Sequence, residues 1–498
     1  MLDGLFIGLQ TVLTLHNLIL VFAGCATGTL IGMLPGLGPI TAIALMIPIT
    51  YGFDPSSGMI LLAGVYYGAI FGGSTSSILI NAPGVAGTVA TAFDGYPIAR
   101  NGQPGKALAI AAYSSFAGGT LAALLLAGTA PFLADLSLGF QSADYFALML
   151  LGLTLVSAFS SQGEYLKALM MTCFGLMLST VGTDLSAGVQ RFTFGRMDLI
   201  DGISFLMLAM ATFALSEAVM MVLQSTRAKE PTIRLHKTSL HLSLPELRAI
   251  IPTVSRSSVL GFFVGVLPGA GATIASFLAY GVERNLATSE DQKQFGQGSI
   301  KGLAAPEAAN NAACTGSFVP LLTLGIPGSG TTAILLGALL AYGIQPGPRL
   351  FIDEPEIFWS VIVSMYFGNL MLLVLNLPLI PYIARLLLVP RQYLIPIIMF
   401  FSLMGVYLVS FNVFDIQMMV FIAICAVLLR LLQFPMAPLL LGFILGGMLE
   451  DNLRRALAVA DGQFSFLWDR PTTVVLMSLV VIAILIPMIR ALWPKSSR

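Results

Sequence analysis

Apolar runs separated by short polar segments fill almost the whole chain. The runs lie near residues 18–34, 40–52, 58–73, 107–133, 143–160, 166–181, 199–223, 249–267, 270–281, 314–345, 357–388, 394–411, 415–449 and 472–493. A transmembrane helix needs about 20 consecutive apolar residues, and several of these runs are shorter or longer than one crossing. The pattern predicts an all-α polytopic membrane protein with about 11 to 12 transmembrane helices, some of them broken or re-entrant.

The composition strengthens the membrane prediction. The 498 residues are 57% hydrophobic and only 10% charged, whereas a soluble domain carries about 25% charged residues. The longest polar stretches, residues 227–256 and 283–311, are each shorter than the roughly 50 residues of an independent domain. We therefore expect one integral membrane domain over residues 1–498, embedded in the lipid bilayer, with no soluble domain appended.

The basic residues set the expected orientation. They are densest in residues 226–256, and the tail at residues 476–498 is also basic. Basic segments favour the cytoplasmic side of a membrane. We therefore predict that residues 226–256 form a basic cytoplasmic connector and that residues 476–498 are the end of a final helix with a cytoplasmic tail. The formal net charge is zero and no basic field exists, so nucleic acid is not an expected partner.

A motif occurs once on each side of the connector. Residues 28–38 read GTLIGMLPGLG and residues 261–271 read GFFVGVLPGAG, with six of eleven positions identical. A second pair follows at a similar distance, NAPG at residues 81–84 and GIPG at residues 325–328. Two matched motifs in the same order indicate an internal duplication.

The duplication predicts two structural repeats, residues 15–225 and residues 257–475. Pro35 and Pro268 disfavour helix at the preceding residue, and the following Gly-x-Gly permits positive φ, so each helix unwinds within apolar sequence. Such backbone must be buried in protein or line an aqueous cavity, and each new half-helix exposes N–H groups that suit an anion. By analogy with other broken-helix membrane proteins, we expect inverted repeats. The alternative is that Pro-Gly only kinks each helix.

Two hydroxyl-rich stretches without charge, within residues 72–91 and 310–332, provide candidate ligands. Hydroxyls and freed N–H groups suit a carboxylate, whereas neutral oxygens suit a monovalent cation. The predicted substrate-binding residues are Gly36, Gly38, Ser74, Thr75, Ser76, Asn81, Pro83, Gly84, Gly269, Gly271, Asn310, Asn311, Thr315, Pro327, Gly328, Ser329, Gly330 and Thr331. The alternative for each hydroxyl is a helix-packing bond to the preceding turn.

A smaller set contains the candidates for a coupling ion. These residues are Ser77, Asn81, Asn311, Ser317, Thr332 and Glu307. Glu307 is the one carboxylate among them, and beside the paired asparagines it can help to hold a cation or bind a proton. The alternative is a role at a helix N-terminus, because Glu307 directly follows Pro306.

The sequence contains no pattern typical of catalysis or of a bound metal. The four cysteines lie in apolar stretches without CxxC or Cys/His spacing. The motifs HExxH, GxSxG and GxxxxGK[ST] are absent. We predict no enzyme, no catalytic residue, no metal site and no organic cofactor, with only Na⁺ or H⁺ as a coupling ion.

Two late charge pairs have the spacing of ion pairs on a helix surface. Glu450 lies four residues before Arg454, and Asp451 lies four residues before Arg455. Opposite charges at this spacing stabilise a helix. We therefore predict a structural role for both pairs.

Several segments together resemble a known family. They read GTLIGMLPGLGP, APGVAGTVATAFDGYP, LPGAG, PEAANNAACTGSFVPLLTLGIPGSGTTAILLGAL and LEDNLRRAL. They are similar to segments of the large membrane subunit of tripartite tricarboxylate transporters, the TctA family. The resemblance covers about residues 15–475, and the block from PEAANN to GIPGSGTT is highly specific.

The resemblance implies a multi-pass secondary transporter in the bacterial inner membrane. Such a subunit acts with a small membrane subunit of about four helices and with a periplasmic solute-binding protein. The family's substrates are carboxylates, citrate and other tricarboxylates first among them, and an ion gradient drives uptake. The site assignment extends only to the motif positions named above.

The charge balance adds an expectation about mechanism. The candidate segments contain hardly any Lys or Arg, and the burial of unpaired carboxylates is very costly. Half-helix N-termini and bound cations must therefore stabilise a trianionic substrate. We expect coupling to Na⁺ or H⁺.

Three other readings remain open. The nearest is the large subunit of a binding-protein-dependent dicarboxylate transporter of the TRAP type, which should match PEAANN and the duplicated LPGxG less closely. A channel would need a continuous polar pore and no binding protein. A membrane enzyme is disfavoured by the missing catalytic motifs.

Overall fold

The computed structural model describes residues 2–34, 37–158, 165–184, 187–225, 240, 242–379 and 391–492. Three of the sequence predictions concern residues that lie wholly or partly outside these ranges. Gly36 and most of the connector, residues 226–239 and 241, lie outside the described residues, and so does the end of the tail from residue 493.

The described residues are almost entirely helical. The α-helices are α1 (Leu2–Val12), α2 (Leu15–Gly32), α3 (Gly38–Thr50), α4 (Pro55–Ile80), α5 (Val89–Arg100), α6 (Pro104–Ser137), α7 (Ser142–Ala158), α8 (Tyr165–Ser179), α9 (Phe205–Ala209), α10 (Ser216–Ser225), α11 (Leu244–Val266), α12 (Gly271–Leu286), α13 (Ser289–Gln292), α14 (Ile300–Gly316), α15 (Phe318–Leu324), α16 (Gly330–Ala341), α17 (Pro348–Asp353), α18 (Pro355–Asn376), α19 (Arg391–Ser410), α20 (Val413–Leu431), α21 (Ala437–Val459) and α22 (Pro471–Leu492). A π-helical segment, Met210–Leu215, joins α9 to α10, and one short antiparallel hairpin pairs β1 (Gly182–Asp184) with β2 (Val189–Arg191).

The helices have the character of a membrane protein. Eight helical segments in the described residues are long and apolar enough to cross a membrane, and several shorter apolar helices accompany them. α4 is buried along its whole apolar window, whereas α19 and α20 are largely exposed. A helix that is hydrophobic all round belongs in the interior of a membrane bundle. The predicted all-α polytopic membrane fold is confirmed, and the number of crossings stays a prediction.

Glycines bring α2 directly against α4. Gly28 and Gly32 face the backbone of Val65 and Ala69, and a Cβ added to Gly28 would lie 2.9 Å from the Ala69 nitrogen. In the other direction, Gly72 of α4 faces Thr29 of α2. Small residues allow such close helix contact without a large side chain between the backbones.

The same contact recurs between α11 and α14. Gly261 and Gly265 face the backbone of Ala309 and Ala313, and a Cβ added to Gly265 would lie 2.6 Å from the Ala313 Cα atom. Gly316 of α14 faces Phe262 of α11, as Gly72 faces Thr29 in the first pair. The two motif copies therefore build the same local packing. The repeat boundaries stay a prediction.

The two packed pairs run in opposite directions. Within each pair the helices are parallel, because residue numbers rise together along the contact. Between the pairs, Ser74 of α4 meets Glu307 of α14 at 2.8 Å, while Tyr66 contacts Phe318 of α15 with ring centres 5.9 Å apart. From Tyr66 to Ser74 the residue numbers of α4 rise, whereas those of the contacting residues fall from Phe318 to Glu307. α4 is therefore antiparallel to α14 and α15.

The long helices that follow each unit interlock the two halves. α6 packs against α11 and α14, whereas α18 packs against α2 and α4. Gly118 of α6 lies against the backbone of Ala308, and Gly368 of α18 lies beside Cys25. Each half therefore completes the core of the other.

Substitution of a contact glycine tests this packing. Gly265→Leu places a branched side chain against the Ala313 backbone, and overpacking of this kind costs about 1–3 kcal/mol or more. We expect the midpoint of thermal unfolding in detergent to fall by several degrees. Gly128→Leu in α6, where the added atom meets open space, is the matched control. Equal midpoints for the two variants would contradict the close contact.

Candidate functional site

Each glycine-packed helix is followed by a short break. α2 ends at Gly32 and α3 begins at Gly38, while α11 ends at Val266 and α12 begins at Gly271. Gly38 and Gly271 have φ of +63° and +61°. Positive φ favours glycine because a Cβ atom would clash there. The chain therefore interrupts the helix at equivalent positions of the two motif copies.

Each break touches the Pro-Gly loop of its own unit. The Gly269 N–H donates a hydrogen bond to the Gly328 carbonyl at 2.9 Å. In the first unit, a Cβ added to Gly38 would lie 4.0 Å from the Gly84 carbonyl oxygen. The two motifs of each unit, separate in sequence, thus form one cluster of irregular backbone.

The Pro-Gly loops start from a left-handed residue. Asn81 ends α4 with φ +52°, and Gly325 ends α15 with φ +69°. Asn is one of the few non-glycine residues that adopt this conformation readily. Pro83 and Gly84 follow the first turn, and Pro327 and Gly328 follow the second. Both loops therefore leave a helix by the same turn.

The first turns of the half-helices differ in capping. α3 and α12 begin without a side-chain cap, so their first N–H groups are available to an anionic ligand. α16 has a reciprocal cap, in which Ser329 N–H donates to Thr332 Oγ1 at 2.8 Å and Thr332 N–H donates to Ser329 Oγ at 3.2 Å. The hydroxyl group of each residue thus accepts a hydrogen bond from the backbone N–H of the other.

The two clusters face helices of the opposite unit. α3 packs against α16, and a Cβ added to Gly330 would lie 3.2 Å from Ile40 Cδ1. α12 packs reciprocally against α5 and the short helix Ala86–Thr88. Gly330 and the neighbouring Thr331 therefore lie where the second unit meets the first break.

A buried carboxylate joins the two units. Glu307 is 0% exposed, and its carboxylate accepts hydrogen bonds from Ser74 at 2.8 Å, from Ser115 at 2.7 Å and from Thr91. The three hydroxyls come from α4, α6 and α5 of the first half, while Glu307 belongs to α14. No Lys, Arg or His of the described residues pairs with it. Its neighbours are neutral oxygen atoms.

A small cavity adjoins this carboxylate. It measures about 10 Å³ and is lined by Ser74, Thr75, Ser115, Glu307 and Asn376, together with apolar side chains. That volume is close to the space that one water molecule needs. The side-chain oxygen of Asn376 is buried without a hydrogen-bond partner. The cavity can therefore hold one small polar guest in contact with the oxygen atoms of these polar residues.

Asn310 presents an unpaired amide one turn further along α14. It is 0% exposed, and neither its oxygen nor its nitrogen has a partner in the described structure. Its neighbour is Gly87, where an added Cβ would lie 3.1 Å from the amide carbon. An unsatisfied buried amide costs about 1–3 kcal/mol. This side chain is therefore the predicted residue best placed to gain from a ligand.

Other predicted residues bond to helix backbone near their own position. Ser76 and Ser77 donate to the Gly73 carbonyl, and Ser77 also meets Thr88 at 2.8 Å. Asn311, Thr315 and Ser317 likewise donate to backbone carbonyls, those of Glu307, Asn311 and Cys314. These bonds match the helix-packing alternative for these positions. Their roles in substrate or ion binding stay predictions.

Sequence reasoning named Ser74 but missed the other polar residues near Glu307. Thr91 stood at the edge of a candidate stretch, but Ser115 and Asn376 lie in long apolar helices where one polar residue gives no signal. Their proximity to Glu307 is visible only in the folded structure, where Thr91 and Ser115 bond to Glu307 and Asn376 lines the adjoining cavity.

Sequence reasoning also missed an anchor at the start of α14. Asp94 of α5 is buried, and its Oδ1 accepts backbone N–H bonds from Gly296, Gly298 and Ser299 at 2.9, 2.8 and 2.7 Å. Ser299 is the N-cap of α14. Asp94 therefore fixes α5, which carries Thr91, to the helix that carries Glu307.

Antiparallel helical units with interrupted helices are a common architecture of membrane transporters. The chain matches the tripartite tricarboxylate transporter TctA family over residues 18–441. It belongs to this family, as the sequence motifs predict.

Two proteins of Agrobacterium vitis are similar to this chain. One, described as an uncharacterized 52.8 kDa protein in the TAR-I ttuC′ 3′ region, is 44% identical over 495 residues, which are 99% of this chain and 97% of that protein. The other, described as an uncharacterized protein in the TAR-II ttuC′ 3′ region, is 43% identical over 234 residues, which are 46% of this chain and 96% of that protein. No solved structure gives a significant match.

Neutralisation of Asp94 tests the anchor. In Asp94→Asn the amide oxygen is a weaker acceptor than a carboxylate, and the loss of a charged acceptor costs about 1.5–3 kcal/mol. We expect a lower thermal midpoint and faster proteolysis within the loop before α14. Asp135→Asn, at an exposed position of α6, is the control. Identical behaviour of the two variants would show that the three N–H bonds contribute little.

Proposed function

We propose that the chain is the large membrane subunit of a binding-protein-dependent secondary active transporter. It takes up tricarboxylates such as citrate, or related carboxylates, into the bacterial cell by symport with Na⁺ or H⁺. The observation that carries the proposal is the position of Glu307. This carboxylate lies buried between two antiparallel broken-helix units, and its side-chain donors among the described residues are three hydroxyl groups.

The substrate site in this proposal lies between the two breaks. The uncapped N-termini of α3 and α12 provide backbone N–H groups and the positive end of a helix dipole, both of which favour carboxylate oxygens. Asn310 adds an unpaired amide that can donate to a substrate. Groups of this kind bind carboxylates without a permanent positive charge, so the site can be refilled and emptied.

The coupling ion binds at Glu307. A bare carboxylate in an apolar interior is very costly, and a group in that position binds a proton or pairs with a cation. Ser74, Thr91 and Ser115 supply neutral oxygens of the type that coordinate Na⁺ in transporters. The adjoining cavity, about 10 Å³ in volume, suits a single dehydrated ion. Occupancy by the cation lowers the local negative charge and so favours the carboxylate substrate.

Coupling follows from the distribution of the ligands. Three hydroxyls belong to the first half and Glu307 to the second, so the occupant of this site changes the bonds that hold the halves together. A ligand shifts a conformational equilibrium only by binding one state more tightly. The cation therefore favours the state in which the halves enclose the site, and its release favours reopening.

The proposal includes two protein partners. A small membrane subunit completes the permease, and a periplasmic solute-binding protein delivers the carboxylate. The basic connector lies on the cytoplasmic side under the positive-inside bias. Membership of the TctA family over residues 18–441 supports this tripartite organisation.

Reconstituted uptake tests the proposal. Proteoliposomes that contain this chain and its small partner should accumulate labelled citrate when the binding protein and an inward Na⁺ or H⁺ gradient are both present. Uptake should saturate, because the carboxylate occupies a discrete site. The gradient that drives accumulation identifies the coupling ion.

The same assay separates the alternatives. Uptake of dicarboxylates in preference to citrate would favour a substrate range like that of the TRAP-type transporters. Flux that does not saturate and ignores the binding protein would indicate a channel. Accumulation that persists after both gradients are collapsed would contradict cation coupling.

Substitution of the buried carboxylate tests the ion site. Glu307→Gln keeps the shape but removes the charge, so gradient-driven accumulation should fall at least about tenfold, equivalent to 1.4 kcal/mol. Citrate exchange across the membrane should persist if the ion is H⁺, because Gln resembles the protonated acid, and should fall if it is Na⁺. Glu290→Gln, in the short exposed helix α13, is the matched control. Unchanged accumulation by Glu307→Gln would place the coupling ion elsewhere.

A further inference from the structure

A large cavity lies at one end of the molecule, apart from the buried carboxylate. It has a volume of about 790 Å³ and lies where the end of α6 meets the end of α21 and the start of α22. Among the described residues, its lining includes three arginines, Arg349, Arg455 and Arg470, and one acidic residue, Asp469. This surplus of cations contrasts with the broken-helix segments, which contain hardly any Lys or Arg.

The three arginines are not equally engaged. Arg470 pairs with the buried Asp144 at 3.0 Å, and Arg349 pairs with Asp353 at 3.0 Å on an exposed surface. Arg455 is exposed and has no ion pair or hydrogen bond from its side chain in the described part of the chain. The charge of Arg455 is therefore available to a ligand in the cavity.

The pairing of Arg455 differs from the prediction. Arg454 pairs with Glu450 at 2.7 Å, as its spacing predicts, and also with Asp184 at 2.7 Å. The expected pair of Asp451 with Arg455 is wrong: the described residues contain no ion pair between them, and Arg455 lines the cavity whereas Asp451 does not. A free guanidinium in a concave site suits a carboxylate, which it can bind with two parallel hydrogen bonds.

The floor of the cavity meets the second Pro-Gly loop. Leu324, the last residue of α15, lines the cavity. Ser137 at the end of α6 also lines it and donates a hydrogen bond to the Thr323 carbonyl at 3.0 Å. The loop that starts at Gly325 leads from this floor to Gly330, which lies beside Ile40 of the first unit. The cavity and the proposed substrate site thus share one loop.

The cavity lies on the side opposite the basic connector. α6 runs from Lys106, which pairs with Glu246 at the start of α11 at 2.5 Å, to Ser137 at the cavity. Its 34 residues span about 50 Å at 1.5 Å per residue. α11 begins directly after most of the connector, so a cytoplasmic connector puts the cavity on the extracytoplasmic face. α22 also begins at the cavity and leads towards the basic tail.

We propose that this cavity is an extracytoplasmic vestibule that binds carboxylate anions at Arg455 before they reach the α15–α16 loop. The inference rests on the proposed transport function and adds a first binding site to it. An unpaired cation in a concave site attracts anions and raises their rate of association. The vestibule supplies the charge attraction that the buried site lacks, and the buried site then binds the anion with backbone groups and a cation.

The kinetic test uses charge removal at the vestibule. In proteoliposomes with the small subunit and binding protein, Arg455→Gln should raise the KM for citrate about tenfold and leave the maximal rate within about twofold. The salt dependence of uptake should become shallower, since a cation that attracts the substrate is gone. Arg455→Lys should restore part of the loss. Arg248→Gln, an exposed arginine at the connector end of α11, is the matched control.

A labelling test reports on the site without transport. Arg455→Cys, in a background without the four native cysteines, should react with a membrane-impermeant thiol reagent applied from the side opposite the connector. Citrate should slow this reaction, and chloride at equal ionic strength should not. The same measurement in vesicles of phosphatidylcholine alone and in vesicles with an anionic lipid separates a soluble carboxylate from a lipid headgroup.

The outcomes distinguish this inference from the proposed function. Citrate protection without any citrate uptake would support the vestibule and overturn the transport proposal for citrate. An unchanged KM in Arg455→Gln, with active transport, would overturn the vestibule and leave transport intact. Labelling from the connector side, or protection by anionic lipid and not by citrate, would also overturn the vestibule.

Discussion

The structure depends on one constraint, that backbone interrupted within apolar sequence must be enclosed by protein. The breaks after α2 and α11 leave N–H and carbonyl groups without helical partners, and lipid offers none. The glycine contacts of α2 with α4 and of α11 with α14 answer this constraint, because they let neighbouring helices close around each break. Without that packing, neither loop cluster could exist at membrane depth.

The antiparallel relation of the two units turns this packing into a candidate transport site. Each break faces a helix of the opposite unit. In addition, α6 of the first half packs against helices of the second half, and α18 of the second half packs against helices of the first. Glu307 lies where these helices cross and accepts bonds from three helices of the first half. In the proposed mechanism, a carboxylate there links the charge of a bound ion to the contact between the halves. The proposed vestibule then attracts the substrate, and the proposed interior site encloses it.

The sequence predicts much of this organisation but not its long-range contacts. The duplicated LPGxG and Pro-Gly motifs predict both breaks and both loops, since proline and glycine act on the backbone locally. The hydrogen bonds from Ser115 and Thr91 to Glu307 depend on how α5, α6 and α14 pack, which no spacing encodes. Arg455 is a similar case, because its i,i+4 spacing to Asp451 predicts an ion pair that is absent among the described residues, where Arg455 instead lines the large cavity.

Thiol labelling beside the two breaks measures directly whether one substrate occupies both of them. Ile40 and Thr273 hold equivalent positions, each two residues beyond the glycine that starts α3 or α12. In a cysteine-free background, Ile40→Cys and Thr273→Cys are labelled with a thiol reagent, with and without citrate and the coupling cation. We expect citrate to slow labelling at both positions only when the cation is present. Labelling that citrate leaves unchanged at both positions, in protein that transports citrate, would contradict a site between the breaks.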